Sequence, residues 1–232
     1  MKKLLAVLSI SILLSSCGGD TENTMTLTGT IKGLKKGTLH FQHVRDTALI
    51  TIDSLEIDGD GKFTFKTEVE SPEIFYLYLD KKDNNDINDR ITFFGEPGII
   101  NVQTNWNTFD TNAKITGSKS HDKLKEYRKV MSGINKRSLE LMQMSVQNEN
   151  PLQQSELDSI EQVTNNNVKR GYLYAINFAL NNSDSYIAPY IALKEVPDAN
   201  RKYLDSIFSV LSPEVADSKY GRELQEYLKN KE

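Results

Sequence analysis

The spacing of the apolar residues changes at residue 117, and this change limits the folds available to the chain. Before Gly117, apolar and polar residues alternate, as around Phe63 and Phe65, which is the pattern of half-buried β-strands. After Gly117, apolar residues recur every three or four positions, as in Leu124 and Tyr127, which is typical of amphipathic helices. Strands followed by helices, without alternation between the two, predict an α+β fold rather than a parallel α/β sheet.

Residues 26–117 form the predicted β half. Seven or eight short strands at this spacing predict an antiparallel β-sandwich or open barrel. An Asp-Gly-Asp-Gly run at 58–61 predicts a hairpin turn, and residues 80–90, which contain almost no apolar side chains, predict a loop. Residues 74–79 are apolar on both faces. They predict either a central strand covered on both sides or an aromatic binding face.

Residues 118–232 form the predicted helical half. Ser118 or Ser120 is expected to cap a first helix, and a second helix is expected to run to about residue 180 with a kink or break near Gly171. Shorter helices are predicted at 186–195, after an Asp198 cap and after a Ser218 cap. The two halves either share one core or form two lobes, and the sequence leaves both arrangements open.

The N-terminus has the pattern of an export signal. Two lysines precede an apolar run at 4–14 that is too short to span a bilayer, and small residues follow, so residues 1–16 are predicted to be a signal peptide. The run Leu14-Ser15-Ser16-Cys17 resembles the lipobox of bacterial lipoproteins, which implies acylation of Cys17 and cleavage before it. The alternative is an ordinary signal peptide with a chance cysteine.

The segment that follows Cys17 is predicted to connect a lipid anchor to the folded part. Residues 17–25 form the lipidated cysteine and a flexible, polar tether. Gly18 stands where an aspartate would signal retention in the inner membrane, which favours anchoring at the outer membrane of the cell envelope. The face of that membrane, periplasmic or external, stays open.

Charge and cysteine count exclude several functions. The chain of 232 residues has a formal net charge of −4, which argues against a nucleic-acid partner. Its single cysteine leaves no disulfide, Cys-based zinc site or Cys-x-x-Cys redox pair. A calcium loop beginning at Asp58 fails because Lys62 and Lys66 stand where oxygen ligands are required. No catalytic residue, metal ligand or cofactor is predicted.

The three histidines carry no predicted chemistry. His40 and His43 are three residues apart in a predicted strand, so their side chains are expected on opposite faces, unable to share a metal ion. His121, beside Asp122 at a helix start, is interpreted as part of a solvated pair.

Three aromatic residues are candidate ligand contacts. Trp106 is the only tryptophan and has polar neighbours, so it either binds a sugar or protein partner from a loop or closes the end of the core. Tyr76 and Tyr78 belong to the aromatic stripe of residues 74–79, for which packing in the core is the competing interpretation.

Weak motifs in a fixed order resemble a known family. They are mainly glycines and turn residues, at Gly29, Gly33, Gly37, 53–54, 61–65, Pro72, Tyr76, 94–98, 115–118, 185–188 and 218–221. The pattern resembles the β-rich domain of unknown function that precedes a thioredoxin-like domain, of the thiol–disulfide interchange or peroxiredoxin-like type, in Gram-negative lipoproteins. In the resembling proteins the thioredoxin-like domain would begin at about residues 229–232, and this chain is expected to lack it. Because the only cysteine is assigned to the lipid, the family's redox activity is not carried over.

Two functions from different classes follow from the sequence. The first is a lipid-anchored, non-catalytic module that binds an envelope protein or a small ligand, with a membrane contact through its lipid. The second is a glycan-directed envelope hydrolase with an unrecognised carboxylate site. A cluster of titratable side chains in a deep pocket would favour the hydrolase, and a shallow patch without such a cluster would favour the module.

Overall fold

The computed structural model describes residues 21–81, 89–146 and 152–231, which form eight strands and six helices. The strands are β1 (Thr24–Lys32), β2 (Lys36–Arg45), β3 (Ala48–Asp58), β4 (Lys62–Glu68), β5 (Glu73–Asp80), β6 (Asp89–Gly95), β7 (Gly98–Asn105) and β8 (Lys114–Thr116). The helices are α1 (Lys119–Val146), α2 (Gln154–Asn181), α3 (Ile187–Lys194), α4 (Arg201–Val210), α5 (Pro213–Ala216) and α6 (Lys219–Asn230). The predicted α+β class, with strands first and helices after, is confirmed.

The strands form two four-stranded sheets. The first sheet has the order β4-β1-β7-β8 and the second has the order β3-β2-β5-β6. The prediction of a purely antiparallel β half is wrong in one place, because β1 and β7 pair in parallel. This pair is possible because the chain passes through the whole second sheet between β1 and β7, which provides the long connection that parallel strands need.

The inner faces of the two sheets enclose one apolar core. Phe63 and Phe65 of β4 are 3% and 2% exposed, as the alternation predicts. They pack with Phe41 of the second sheet, whose ring centroid lies 5.5 Å from that of Phe65. Gly29 of β1 makes room for Phe63, because a Cβ atom at Gly29 would lie 2.6 Å from the end of that ring.

The predicted turn at residues 58–61 links the two sheets rather than closing a hairpin within one sheet. β3 enters the turn from the second sheet and β4 leaves it in the first. Gly59 and Gly61 have φ values of 136° and 70°, which L-residues with a Cβ rarely adopt. Asp60 accepts the backbone N–H of Lys62 at 3.1 Å and pairs with its ammonium group at 2.7 Å.

The long second helix runs without a break, so that half of the prediction of a kink or break near Gly171 is wrong. α2 is continuous through Gly171, which lies against Met131 and Ile134 of α1 and lets the two helices approach closely. The amide of Asn167 donates to the backbone oxygen of Ile134 at 2.9 Å and to the hydroxyl of Ser138 at 2.8 Å. The residues that weaken the helix by propensity are therefore the ones that join it to its neighbour.

Helix caps agree with the sequence at two of three positions. Ser118 accepts the backbone N–H of His121 at the start of α1, and Ser218 accepts that of Gly221 at the start of α6. At α4 the predicted Asp198 cap is wrong, because Asn200 accepts the N–H of Lys202 instead. The carboxylate of Asp198 accepts the hydroxyl of Tyr172 at 2.5 Å.

The helices pack on the outer face of the second sheet at the end where β1 begins. Ile74 of β5 and Phe94 of β6 point outward and are buried in the helical core. Glu96, in the turn between β6 and β7, accepts the backbone N–H groups of Lys119 and Ser120 at 2.6 and 3.2 Å, so its carboxylate caps α1. The β half and the helical half thus share buried residues and are joined by hydrogen bonds between backbone groups of one half and side chains of the other.

The predicted signal peptide and Cys17 lie outside the described residues, as does most of the predicted 80–90 loop. Within the described ranges, the helices are too short or too polar to cross a bilayer. The chain enters the described part at residue 21 and reaches β1 at Thr24.

Candidate functional site

Two rows of polar and aromatic side chains cross the outer face of the second sheet. Backbone pairing places the first row, here called the Arg90 row, on neighbouring strands as Ser54, His40, Tyr78 and Arg90. The second row, here called the Tyr76 row, consists of Thr51, Gln42, Tyr76 and Thr92, and it lies two residues further along β2, β5 and β6 and three along β3, where the register shifts at a bulge. Between the rows, Phe41, Leu77 and Ile91 point into the sandwich core, whereas Asp53 at the bulge is exposed, and all eight side chains of the rows are at least partly exposed.

The helices cover the next position along the strands, and Tyr76 at the edge of the rows packs against their core. Ile74 and Phe94 come two residues beyond Tyr76 and Thr92, and both lie beneath the helical core. The stripe at 74–79 is divided between the two faces of β5. Phe75, Leu77 and Leu79 fill the sandwich core, while Tyr76 and Tyr78 lie half-buried on the outer face, where their role as ligand contacts stays a prediction.

Arg90 and His40 flank Tyr78 in the first row. The guanidinium carbon of Arg90 lies 5.7 Å from the ring centroid of Tyr78 and 5.6 Å from that of Tyr76. The His40 ring stacks on Tyr78 at 5.7 Å and its Nδ1 lies 2.8 Å from the hydroxyl of Ser54. These contacts hold the cation and both phenol rings in one orientation.

Gln42 gives the Tyr76 row a shielded hydrogen-bond acceptor. Its amide nitrogen donates to the hydroxyl of Thr51 at 3.0 Å. Its amide oxygen is shielded from solvent and has no hydrogen-bond partner within the part of the chain that the structure describes. A buried acceptor without a donor is costly, so a donor that reached this amide would stabilise the site.

A cavity of about 310 Å³ adjoins the Tyr76 row on the side that faces the helical half. Three tyrosines line it, Tyr76 from the sheet and Tyr190 and Tyr220 from α3 and α6. Lys219 reaches its wall, and its ammonium group donates to the backbone oxygen of Val44 at 2.7 Å. The open rows thus continue into a pocket lined by phenol rings.

The other two histidines occupy different environments. His43 stacks on the core residue Phe75 at 5.8 Å, with its Nδ1 3.3 Å from the Glu73 carboxylate. His40 and His43 therefore lie on opposite faces, as predicted. The solvated interpretation of His121 is wrong, because the first turn of α1 packs against β6. His121 is half-buried, and its Nδ1 accepts the backbone N–H of Phe94 at 3.4 Å.

The burial of His121 predicts a loss of stability at mildly acidic pH. Burial, with help from the nearby Arg128 charge, lowers the pKa of His121 from 6.5 to about 4. The unfolded chain binds a proton at this residue below pH 6.5, whereas the folded chain does not until about pH 4. We therefore expect the free energy of unfolding to fall by about 2 kcal/mol across this interval, after allowance for the partly exposed ring.

The matched control is His121→Asn, whose amide oxygen can accept the same N–H without titrating. Urea unfolding of both chains between about pH 7.5 and 4 measures the difference, because all other groups titrate alike in both. We expect wild type to lose stability relative to the variant as the pH falls. Parallel curves would contradict a buried, neutral His121.

Trp106 lies away from both rows and from the helices, at the end of the sandwich where β1 and β7 finish. It begins a 3₁₀ turn of residues Trp106–Thr108. Its ring rests on Gly33, where a Cβ atom would lie 2.6 Å from it, and the ammonium group of Lys81 lies 5.7 Å from the ring centroid. Phe109, fully buried, fills the core at this end. Trp106 itself is 43% exposed, and its role as a ligand contact stays a prediction.

The position of Trp106 predicts a modest stability effect and an accessible indole. Trp106→Ala is expected to lower the free energy of unfolding by about 1 kcal/mol, since much of the ring is already in water. Emission of the folded protein should be quenched by iodide at roughly half the rate of a free indole, in proportion to its exposed fraction. A blue-shifted, iodide-protected emission would contradict this placement.

A larger cleft, of about 780 Å³, lies between the sandwich and the helices and contains several carboxylates. Three of them already have partners. Glu96 caps α1, Glu126 pairs with Lys123 at 3.1 Å, and Glu214 accepts the hydroxyl of Tyr186. Burial and Glu214 raise the pKa of Tyr186 to about 12, so this phenol stays protonated. Across the described ranges, no group of three or more His, Cys, Asp or Glu side chains is placed to hold a metal ion.

One family model matches part of the chain. Residues 25–124 match the model of a family described as a domain of unknown function, DUF4369. The matched stretch extends from β1 into the first turns of α1, so it contains the whole sandwich and both rows. No curated protein and no solved structure matches the chain.

Sequence reasoning found Tyr76 and Tyr78 but missed Arg90, His40 and Gln42 as their neighbours. The missing information is the register between strands that lie far apart in sequence. His40 and Tyr78 are paired across β2 and β5, and Arg90 is paired with Tyr78 across β5 and β6. The usable signal is the alternation itself, because His40 stands between the core residues Leu39 and Phe41, and Gln42 and Arg90 each adjoin one core residue.

Proposed function

We propose that the protein is a lipid-anchored, non-catalytic accessory or binding module of the bacterial cell envelope, held at the outer membrane by acyl chains on Cys17. The Arg90 row and the Tyr76 row carry the proposal. Polar side chains fixed by stacking and hydrogen bonds on a rigid sheet, beside an aromatic pocket, are suited to holding a ligand.

The position of the rows on the sheet supports access of a ligand to them at a distance from the membrane. The tether reaches the sandwich at Thr24, and the Glu73 end of β5 lies at that same end of the molecule. Tyr78 is five residues further along β5, or about 17 Å at the usual rise of a strand. The Arg90 row therefore lies about 17 Å from the end of the sandwich at which the anchored segment enters.

The accessory part of the proposal comes from the family. A resemblance to the domain that precedes thioredoxin-like domains in Gram-negative lipoproteins favours a role beside other envelope components. The single cysteine of this chain supports a role without thiol exchange. We therefore assign binding, and no redox chemistry, to the module.

Cys17→Ala tests the anchor. Acylation and cleavage both depend on the sulfur atom, so the variant should accumulate as an uncleaved precursor without lipid. Metabolic labelling with a fatty-acid probe, followed by separation of membrane and soluble fractions, measures both properties. Equal labelling of wild type and Cys17→Ala would contradict the lipid anchor.

Site-specific photo-crosslinking tests the binding surface. A photoreactive phenylalanine analogue replaces Tyr78 in the full chain, expressed in a Gram-negative host, and Tyr203 on α4 is the matched control. Tyr203 is 47% exposed, and it belongs to the helical half. Adducts at position 78 that are missing at position 203 are expected. Equal adduct patterns at both positions would contradict a binding site on the sheet.

The envelope hydrolase remains the second candidate because the 780 Å³ cleft contains several carboxylates. Hydrolysis of a glycosidic bond uses two carboxyl groups, an acid and a base or nucleophile. In this cleft Glu96, Glu126 and Glu214 are engaged in structural contacts, while Glu70, Asp122 and Asp184 are further carboxylates of the lining that a hydrolase could use. Release of reducing ends from envelope glycans by the purified full chain, abolished by Glu126→Gln, would favour the hydrolase instead.

A further inference from the structure

We propose that the Arg90 row and the Tyr76 row bind an acidic glycan, with the guanidinium group of Arg90 receiving a sugar carboxylate. This assignment rests on the proposed function, because it names the ligand class of the same surface.

Arg90 is arranged to receive a planar anion. Its guanidinium group is positioned by two phenol rings at 5.6 and 5.7 Å, and its side chain is exposed. None of the carboxylates that the structure describes lies within ion-pair distance of it. A guanidinium group held by aromatic contacts loses little side-chain entropy when it binds, and its fork of N–H donors fits a carboxylate.

The charge of the two rows complements an anion. The rows contain one cation, Arg90 on β6, and no carboxylate, and the exposed Asp53 between them lies on β3, two strands away from β6 across β2 and β5. The next row outward carries Glu56 and Asp80 on β3 and β5. An anionic group is therefore attracted to the Arg90 corner and repelled from the neighbouring row, which fixes its position on the sheet.

The remaining side chains suit a polyhydroxyl ligand. Besides Arg90, the rows present three hydroxyls, an amide, an imidazole and two phenols, and none of these side chains is aliphatic. The rows are about 7 Å apart, and four strands about 4.8 Å apart make each row about 14 Å long. This is a hydrogen-bonding surface suited to a short run of sugar rings, whereas the fully buried centre of a protein interface is more apolar than these rows.

The test measures binding of the purified full chain to immobilised polygalacturonate, alginate and hyaluronan. Methyl-esterified polygalacturonate has the same sugar without the charge and serves as the control ligand. Arg90→Gln is compared with Arg137→Gln, an exposed arginine on α1 that pairs with Glu140. We expect at least one acidic polymer to bind wild type and Arg137→Gln equally. Arg90→Gln and, for polygalacturonate, esterification should each weaken binding about 10- to 100-fold, as loss of a charge-assisted hydrogen bond predicts.

Two further readouts make the result decisive. Arg90→Lys keeps the charge without the fork and should give intermediate binding, and a melting temperature equal to wild type shows that each variant is folded. No binding to any acidic polymer, or equal loss in Arg90→Gln and Arg137→Gln, overturns the glycan assignment. If crosslinks at position 78 persist in that case, the proposed binding function stands; if they are missing as well, both are overturned.

Discussion

Replacing Phe65 with alanine is expected to lower the free energy of unfolding by about 3–5 kcal/mol. Phe65 is 2% exposed, and its ring packs between those of Phe41 and Phe63, at 5.5 and 6.0 Å. Removing the ring leaves a cavity between two sheets whose strands are fixed by their ladders, so the core cannot collapse to fill it. Urea unfolding followed by far-UV circular dichroism measures the loss.

Thr64→Ala is the matched control for Phe65. Thr64 is the preceding residue on β4, points outward and is exposed. Its hydroxyl donates a long hydrogen bond, of 3.4 Å, to that of Thr28. Its loss is expected to stay within about 0.5 kcal/mol. Because a domain of this kind is stable by about 5–15 kcal/mol in total, the two variants should be clearly separated. Similar losses for both would contradict the assignment of the inner face.

Phe65 also illustrates what the sequence predicts reliably in the β half. Strict alternation around Phe63 and Phe65 identifies both the strand and its buried face, because every second side chain of a strand points to the same side. The parallel pairing of β1 with β7 could not be predicted in the same way. Alternation is a property of one strand, and it contains no information on which distant strand lies beside it.

In the helical half, local propensity makes a prediction that tertiary packing overrules. Propensity predicts a break near Gly171, yet α2 is continuous because Gly171 and Asn167 make contacts with α1. Intrinsic propensities amount to about 1 kcal/mol per residue, and tertiary packing outweighs them. The interpretation of His121 as solvated fails for the same reason, because the burial of this side chain depends on how α1 packs against β6 and not on the sequence around residue 121.

The candidate site was predictable only in part. Tyr76 and Tyr78 stand out as aromatic residues on a strand, but the sequence cannot say that the helices bury Ile74 and leave both tyrosines half-buried. The segment at 218–221, noted only as part of a resemblance, proves to connect the two halves. Lys219 donates its backbone N–H to the hydroxyl of Ser71 at 2.9 Å, and its side chain pairs with Glu73.

The same segment provides the second large expected effect. Tyr220 accepts the backbone N–H of Ile74 at 3.1 Å, and its ring makes edge-on contacts with Phe94 at 6.0 Å and Tyr190 at 5.3 Å. Burial raises the pKa of this phenol well above its usual range, so it remains neutral. Tyr220→Ala removes both the ring and the acceptor and is expected to lower the free energy of unfolding by about 3–5 kcal/mol.

Two comparison variants separate the contributions of Tyr220. Tyr220→Phe keeps the ring but leaves the buried N–H of Ile74 without its acceptor, at an expected loss of about 1–3 kcal/mol. Tyr203→Ala, on the exposed side of α4, should lose about 0.5 kcal/mol or less. A loss for Tyr220→Phe equal to that for Tyr220→Ala would show that the hydrogen bond, and not the packing, dominates the contact.

Tyr220→Ala also decides whether the β half and the helical half unfold together. Fluorescence of Trp106 reports on the sandwich, since it is the only tryptophan, while far-UV circular dichroism is dominated by the helices. In wild type we expect the two urea transitions to coincide, because Ile74 and Phe94 of the sheet lie in the helical core. In Tyr220→Ala the helical transition should move to lower urea while the Trp106 transition moves less. Separate transitions already in wild type would instead mean two independent domains whose contact adds little to the stability of either.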